Sequence, residues 1–159
     1  MVHPHIRKAQ KEDTEEVLSL IRELAEFEKE PEAVDISVED LQRDGFGKSP
    51  LFTCFVAEVE NKIVGMALFY FRYSTWKGKT VHLEDLIVKK TMRGMGIGSA
   101  LFRRTMEFAR ENNVKRVEWV VLNWNKNAVD FYEKSGANIL KDWWLVQFDK
   151  NSLNAFLER

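Results

Sequence analysis

Three glycines at every second position, in the stretch Arg93-Gly94-Met95-Gly96-Ile97-Gly98-Ser99, constrain this chain more than any other feature. Residues 79–88 before them are β-prone and apolar, and apolar residues after them recur at near-helical spacing as far as about Asn113. Glycine permits a positive φ and leaves no Cβ to obstruct a ligand. A loop of this kind that runs into a helix points successive N–H groups at one place, where the helix dipole also favours negative charge. The pattern predicts a cradle for a diphosphate, with Arg93 adding a charge-assisted contact at its edge.

Other interpretations of the glycine spacing compete with a diphosphate cradle. A P-loop carries lysine and then serine or threonine after its last glycine, whereas Gly98 is followed by Ser99 and Ala100. A dinucleotide-binding fingerprint reads G-x-G-x-x-G, whereas here G-x-G-x-G follows an arginine. A plain glycine-rich turn without a ligand stays open on the spacing alone.

Composition narrows the class of protein. Hydrophobic residues make up 45% of the 159 positions and charged residues 31%, as in an ordinary soluble globular protein, so we expect one domain over residues 1–159. The net charge is −1 and no basic stripe is obvious, which argues against a nucleic-acid partner. No stretch approaches the ~20 apolar residues of a membrane helix, and no signal-peptide pattern opens the chain. We therefore expect no membrane partner and a cytoplasmic location.

The cysteine and histidine content predicts neither a disulfide framework nor a metal site. Cys54 is the single cysteine and lies in the apolar stretch FTCFVAEV, where a buried hydrophobe is more usual than a nucleophile. His3 and His5 lie near the N-terminus without companion ligands, so we expect no metal.

The order of the elements predicts an α+β fold with a mixed sheet rather than a doubly wound one. A first strand at 5–9 precedes a helix that begins at a capping box of Asp13 and Glu16 and ends near Pro31, and a second helix is opened by Ser37 and Asp40 and stopped at 45–47. Three strands, 52–59, 63–72 and 79–88, then form an antiparallel meander. The middle strand is nearly all apolar, which predicts a central position with both faces covered.

The last third of the chain returns to the sheet. A strand at 115–122 is joined to the third meander strand by a helical crossover, so the two should be parallel. A short helix follows, with Asn125 or Asn127 as its cap and Gly136 as its end. We then expect a strand at 143–148 and a final short segment from Asp149.

Four further stretches, spread over most of the chain, carry a resemblance to a known family. They are RELAEFEK at 22–29, DGFG at 44–47, YSTWKG at 73–78 with LED at 83–85, and Asn125 with Phe131-Tyr132. Together with Arg-x-x-Gly-x-Gly they resemble the GNAT acetyltransferase superfamily, and in particular its spermidine/spermine and thialysine N-acetyltransferase branch. The resemblance implies the GNAT fold, acetyl-CoA as cosubstrate, direct transfer to a small-molecule amine in a ternary complex, and commonly a homodimer.

The same resemblance assigns the cofactor contacts. The strand before the glycine loop would bind the pantetheine arm through its backbone, the loop would hold the pyrophosphate through its N–H groups, and asparagines at the start of the later short helix would also contact the cofactor. These residues are Leu86, Ile87 and Val88, then Arg93, Gly94, Met95, Gly96, Ile97, Gly98 and Ser99, and finally Asn125 and Asn127.

Acetyl transfer to an amine poses two proton problems. An alkyl ammonium has a pKa near ~10.4, so its deprotonation at neutral pH costs roughly 4–5 kcal/mol. Glu84 and Asp85 interrupt an apolar strand and can bind the cation, and a carboxylate whose pKa is raised by burial can also take its proton, directly or through water. Neighbouring side chains on a strand face opposite ways, so we expect only one acid to reach the acetyl group, and the resemblance favours Glu84. That either acid is a solvated strand end or pairs with a basic residue stays open.

The second problem is the departing thiolate, which needs a proton. The resemblance assigns this role to Tyr132, and the pKa of a phenol, about 10, suits a thiol. The alternative for Tyr132 is a core aromatic residue with a satisfied hydroxyl.

Substrate recognition falls on residues outside the cofactor set. Phe27 and Glu28 end the first helix, where the resemblance places amine contacts, and Phe27, Trp76 and Trp143 could form an aromatic wall that favours cations. Phe27 also fits the apolar stripe of its helix, and Glu28 also fits a solvated side chain. Polyamine-type members carry an acid where this chain has Ser74 and a tyrosine where it has Phe27. A lysine-like amine or its thia-analogue is therefore favoured over spermidine, with a protein N-acetyltransferase and a non-catalytic acyl-CoA-binding domain as rival interpretations.

Overall fold

Five strands form one mixed sheet, described together with its helices by a computed structural model of residues 3–158. The chain divides into two units, one up to Val120 that contains the sheet and one from Val121. The strands are β1 (His5–Lys8), β2 (Thr53–Val59), β3 (Lys62–Ser74), β4 (Gly78–Val88) and β5 (Val117–Glu118). The helices of the first unit are α1 (Thr14–Phe27), α2 (Val38–Phe46) and α3 (Ile97–Glu111), and those of the second are α4 (Lys126–Lys134) and α5 (Lys150–Leu157).

The strands lie in the order β1-β2-β3-β4-β5. The first four are antiparallel, and β5 pairs with β4 in parallel after the crossover through α3. This confirms the predicted mixed sheet, with its meander and its parallel pair. β3 occupies the centre and is buried from Ile63 to Phe69, as its apolar sequence predicts.

Each face of the sheet packs against its own helices. On one face, α1 and α2 cover residues of β2, β3 and β4, with Leu18, Leu20, Leu41, Val56, Met66, Leu68 and Ile87 in this core. On the other face, α3 covers a second core that includes Phe55, Ala67, Phe69, Val81, Leu83, Ile97 and Leu101. Burial of each large aliphatic side chain stabilises such a core by about 1.5–3 kcal/mol. The two cores hold β4 firmly along both faces.

The helix starts follow short-range signals, with one correction. The side chain of Ser37 accepts from Asp40 N (3.1 Å) and the carboxylate of Asp40 accepts from Ser37 N (2.9 Å), which is the predicted capping box of α2. At α1 the predicted box of Asp13 and Glu16 is wrong. The carboxylate of Asp13 turns back instead, accepting from Gln10 N (2.7 Å) and pairing with Arg7, so it closes the 3-10 turn that precedes α1.

The second unit contains α4 and α5 and lacks a strand that was predicted within it, and the strand that precedes this unit is shorter than predicted. The side chain of Asn125 caps α4 and Gly136, at φ +88°, follows its end, both as predicted. The strand expected at 143–148 is absent, and β5 is two residues long rather than eight. β-propensity is a property of the local sequence, whereas a strand also needs a neighbouring strand to pair with. Nothing in the sequence of residues 143–148 identifies such a partner.

Candidate active site

The glycine loop leaves its backbone open to a ligand. Gly94 and Gly96 have φ of +78° and +82°, and a Cβ built on either would meet no atom within 4 Å. Gly96 is the N-cap of α3 and has no side chain to occupy the first N–H groups, while the helical bonds begin with Ala100 N to Gly96 O (3.0 Å). The N–H groups of Ile97, Gly98 and Ser99 therefore point out of the helix start. These donors and the open approach fit the diphosphate of a nucleotide cofactor.

Arg93 faces helix α1 in this structure. Its Nε donates to the carbonyl of Val88 (2.9 Å), its guanidinium lies 5.2 Å from the ring centroid of Phe27, and Nη2 is 3.8 Å from Glu23 Oε1. The same Glu23 oxygen accepts from Lys90 N (2.8 Å). These contacts fasten the loop to α1, so a contact of Arg93 with a phosphate stays a prediction.

The strand that leads into the loop has one edge available. β4 pairs with β3 over its whole length, whereas its parallel pairing with β5 ends at His82–Glu118 within the described residues. Successive peptide groups of a strand point to alternate edges. The later part of β4, including Leu86 and Ile87, therefore presents N–H and C=O groups that an extended ligand can pair with. This is the geometry that the predicted pantetheine contacts require.

A β-bulge lies at Glu84. Leu68 of β3 pairs with Asp85, but the next residue, Phe69, pairs with Leu83, so Glu84 is an additional residue in β4. Tyr70, which shares the face of Leu68, donates from its hydroxyl to Glu84 Oε2 (2.8 Å). Both acids therefore lie on one face of the sheet, and the expectation that strict alternation separates them is wrong. Bulges often occur beside active sites, where they redirect side chains.

The hydroxyl of Tyr70 fixes the Glu84 carboxylate. Burial, and then the hydrogen bond to Glu84, raises the pKa of Tyr70 to about 12. The phenol therefore keeps its proton and donates it at any pH near neutrality. The side chain of Glu84 is itself half exposed, so it can be reached by solvent or by a ligand.

Asp85 has the most strongly perturbed carboxyl group of this region. Burial above all, and then the charges of Glu84 and Glu28, raise its pKa to about 7. Glu28, at the end of α1, also has a raised pKa, because its carboxyl group is partly buried although the residue as a whole is exposed. The three acids form an acidic cluster, Glu28, Glu84 and Asp85, that a cation would neutralise.

The two tryptophans of the predicted aromatic wall are exposed. Trp76 lies in the β3–β4 turn with 79% of its surface accessible, and Ser74 Oγ accepts a hydrogen bond from the backbone N–H of Trp76 (3.2 Å). Trp143 lies in the second unit and is 72% exposed. Phe27 is 39% exposed at the end of α1, where the guanidinium of Arg93 covers its ring.

The second unit contains the remaining predicted residues, all on α4. Asn125 uses Oδ1 to accept from Ala128 N (3.3 Å), and Asn127 is exposed in the first helical turn. Tyr132 is buried at 9% exposure, and burial raises the pKa of its phenol. Tyr132 therefore carries its proton at neutral pH, as a proton donor must.

Sequence reasoning missed the polar residues around Glu84. Tyr70 and His82 face each other across β3 and β4 with their rings 5.2 Å apart, and Glu118 of β5 lies beside His82. The polar positions within these strands were the available signal. Their grouping depends on the register and on the bulge.

Comparison with known proteins identifies the family. The acetyltransferase (GNAT) family model matches residues 14–137, and the chain belongs to this family. Thialysine N-epsilon-acetyltransferase of Bos taurus is 41% identical over 159 residues, covering 93% of this chain and 94% of the relative. The protein of that name from Caenorhabditis elegans is 37% identical, with 91% of each chain covered. The predicted family and the thialysine branch are confirmed, and with them the class of the enzyme, an acetyltransferase.

Solved structures agree on the fold. An integron cassette protein from the mobile metagenome of V. cholerae superposes with a TM-score of 0.81 at 23% identity, over 98% of both chains. An aminoglycoside acetyltransferase from an uncultured soil sample, solved with sisomicin, has a TM-score of 0.72 at 22% identity and covers 91% of this chain and 97% of its own. At these identities the likeness confirms the fold alone.

Residues 3–158 lack two further features. No helix there has both the length and the apolar character needed to cross a membrane. No cluster of three or more His, Cys, Asp or Glu side chains there could hold a metal ion.

Proposed function

We propose that the chain transfers the acetyl group of acetyl-CoA to a primary amine of a small molecule, in a ternary complex. The acidic cluster carries this proposal, because three neighbouring carboxyl groups suit an ammonium ion. Two of them, Glu84 and Asp85, lie on β4 just before its available edge and the glycine loop. An amine bound at the acidic cluster and an extended cofactor bound along the available edge would therefore meet at β4.

The cofactor would be held by backbone groups. Leu86, Ile87 and Val88 are proposed for the pantetheine arm, although the carbonyl of Val88 already accepts from Arg93. The N–H groups from Gly94 to Ser99 are proposed for the pyrophosphate, with Asn125 and Asn127 as further contacts. When bound, acetyl-CoA supplies a thioester whose carbonyl is open to a nucleophile.

The acids would handle the amine and its proton. Glu84 is proposed to accept the ammonium proton, directly or through water, which leaves the nitrogen lone pair free to attack. Asp85 and Glu28 are proposed to attract the cation. A pKa of about 7 means that Asp85 is roughly half protonated at neutral pH, so an arriving cation can favour its ionised form.

Tyr132 is proposed as the proton donor to the departing thiolate. Its buried phenol has a raised pKa, which supports its being protonated when the thiolate forms. The hydroxyl would lose its proton to sulfur and regain one from solvent, while the nitrogen would shed its second proton to solvent as the amide forms.

A lysine-like amine with one long arm, such as thialysine, is the proposed substrate. The relatives from Bos taurus, Sus scrofa and Mus musculus are all named for this activity, at 38–41% identity. A spermidine/spermine N(1)-acetyltransferase-like protein of Homo sapiens is 36% identical, and the chain spans 23% of it. Phe27, Trp76 and Trp143 are proposed as aromatic contacts of the amine arm.

Thiol release from acetyl-CoA with a panel of amines tests the proposal. We expect kcat/KM for thialysine to exceed that for spermidine, and a clear preference for spermidine would reverse this order. No release with any amine, or release only with a peptide amine, would contradict the proposed function.

A homodimer is also proposed. Its support is the exposed apolar run of the second unit, which includes Trp143, Trp144, Leu145, Val146 and Phe148. Sedimentation equilibrium of the full chain tests it, and a monomer at micromolar concentration would contradict it. A cytoplasmic location stays a prediction from the sequence.

A further inference from the structure

His82 lies between two carboxylates on neighbouring strands. Its Nε2 is 3.5 Å from Glu84 Oε2 and its Nδ1 is 3.6 Å from Glu118 Oε1. Only 12% of the His82 side chain is exposed, and its ring stacks on Tyr70 at an interplanar angle of 29°. The parallel pairing of His82 with Glu118 explains the second contact, and Glu84, two residues further along β4, makes the first because alternate residues of a strand share a face.

Glu118 is itself held in place by two arginines. Arg72 of β3 donates from Nη1 to Glu118 Oε1, and Nε of Arg116 lies 3.1 Å from Oε2. The charged or titratable groups that face His82 are thus Tyr70 and Arg72 from β3, Glu84 from β4, and Glu118 with Arg116 from β5 and the residue before it. The two arginines hold the carboxyl group of Glu118 in place, with Oε1 facing Nδ1 of His82.

The arrangement leaves Nδ1 of His82 with one direction to donate. This nitrogen is buried and makes no hydrogen bond within residues 3–158, and the carboxylate oxygen of Glu118 is the acceptor beside it. A neutral imidazole has one N–H and one lone pair, so a proton on Nδ1 leaves the lone pair of Nε2 directed at Glu84.

We propose that His82 is a positioning residue for Glu84, oriented by Glu118, and that it relieves Glu84 of the proton taken from the amine. The N–H bond of the ammonium breaks as an O–H bond forms on Glu84. That O–H bond then breaks as an N–H bond forms on Nε2, and the imidazolium between two carboxylates later releases a proton to water. The inference rests on the proposed function, since it assigns a partner to the base of that reaction.

The test compares variants that distinguish the contribution of the ring nitrogens of His82 from the contribution of its aromatic packing. His82→Phe keeps an aromatic ring against Tyr70 and removes both nitrogens, whereas His82→Gln restores one donor and one acceptor. We expect His82→Phe to lower kcat about tenfold at pH 7, with KM for the amine and Kd for coenzyme A within about twofold of wild type. His82→Gln should recover part of the loss.

The pH dependence distinguishes a proton relay from a packing role. As pH approaches ~10 the amine increasingly arrives without its proton, so the defect of His82→Phe should shrink. A residue that only supports the fold would lower kcat by the same factor at every pH. In a Glu84→Gln background His82→Phe should add no further loss, because His82 acts through Glu84.

Wild-type turnover by His82→Phe at pH 7, or an equal loss at all pH values, would overturn the inference. If His82→Phe does not fold, Glu118→Gln decides: a pH-dependent loss supports the inference and an unchanged profile overturns it. Calorimetry with coenzyme A and thiol release by the wild-type chain are measured beside these variants. Failure of either removes the proposed function and this inference with it, whereas failure of the variants alone leaves the proposed function standing.

Discussion

The hydroxyl of Tyr70 donates a 2.8 Å hydrogen bond to Oε2 of Glu84, from the strand opposite the bulge. Removal of this donor frees the carboxylate to rotate, so Tyr70→Phe should lower kcat about threefold to tenfold and leave Kd for coenzyme A unchanged. Steady-state kinetics and calorimetry measure both. Tyr73→Phe, which alters an exposed tyrosine of the same strand, is the control and should match wild type. Equal kcat for the two variants would contradict a role for the hydrogen bond.

Asp85 should destabilise the folded chain as pH rises. Its folded pKa of about 7 lies above the ordinary value of 3.8, so the folded state favours the protonated acid. The penalty is absent below pH 3.8, grows up to about pH 7 and is constant above it. Asparagine cannot ionise. The difference in unfolding free energy between Asp85→Asn and wild type should therefore grow in favour of the variant by about 2 kcal/mol from pH 5 to pH 8.

Urea unfolding at the two pH values measures this gain. Asp13→Asn is the matched control, because the hydrogen bonds from Arg7 (2.6 and 2.9 Å) lower the pKa of Asp13. The stabilisation by Asp13 is complete above its unfolded pKa and is lost only in acid, so its variant should lose stability equally at pH 5 and pH 8. A pH-independent effect of Asp85→Asn would contradict the raised pKa.

Gly96→Ala should weaken both the fold and the cofactor site. Alanine at φ +82° costs roughly 1–2 kcal/mol, and relief of this strain would turn the N–H groups at the start of α3. We expect a lower melting temperature and at least a ~tenfold higher Kd for coenzyme A by calorimetry. Gly78→Ala, at φ +78° at the start of β4, carries the same strain away from the loop and should leave Kd unchanged. Equal Kd values for the two variants would argue against a phosphate cradle.

Tyr132→Phe removes one hydroxyl from a buried ring. Coenzyme A should bind with unchanged Kd, while turnover should fall at least ~tenfold, because the departing thiolate would lack its proton donor. Burial raises the pKa of Tyr132, so the wild-type phenol should cause no loss of kcat on the alkaline side below pH 10. Calorimetry and thiol release across pH 7–10 check this, and an unimpaired rate would remove Tyr132 from the mechanism.

The sequence predicted those features that short-range chemistry determines. The caps at Ser37 and Asn125 and the positive φ at Gly94 and Gly96 each follow from residues within a few positions. The antiparallel meander follows from three β-prone segments with short connections. The parallel position of β5 follows from the helical crossover.

The remaining features depend on partners that lie far away in sequence. The bulge at Glu84 is a property of the pairing between β3 and β4, so regular alternation mispredicted the faces of Glu84 and Asp85. His82 gained its significance only through the register with Glu118. The predicted strand at 143–148 failed for the same reason, because Trp143 and its neighbours have β-propensity but show no partner strand.

The additional residue in β4 also changes how charge is shared at the site. An evenly paired strand would have sent one acid into the hydrophobic layer beneath α3, where an isolated negative group is costly. With the irregularity, Glu84 and Asp85 lie on one face of the sheet, and the charge of Glu84 contributes to the raised pKa of Asp85. Near neutrality Asp85 therefore acts as a local buffer beside Glu84, gaining or losing its proton as the charge of the bound amine requires.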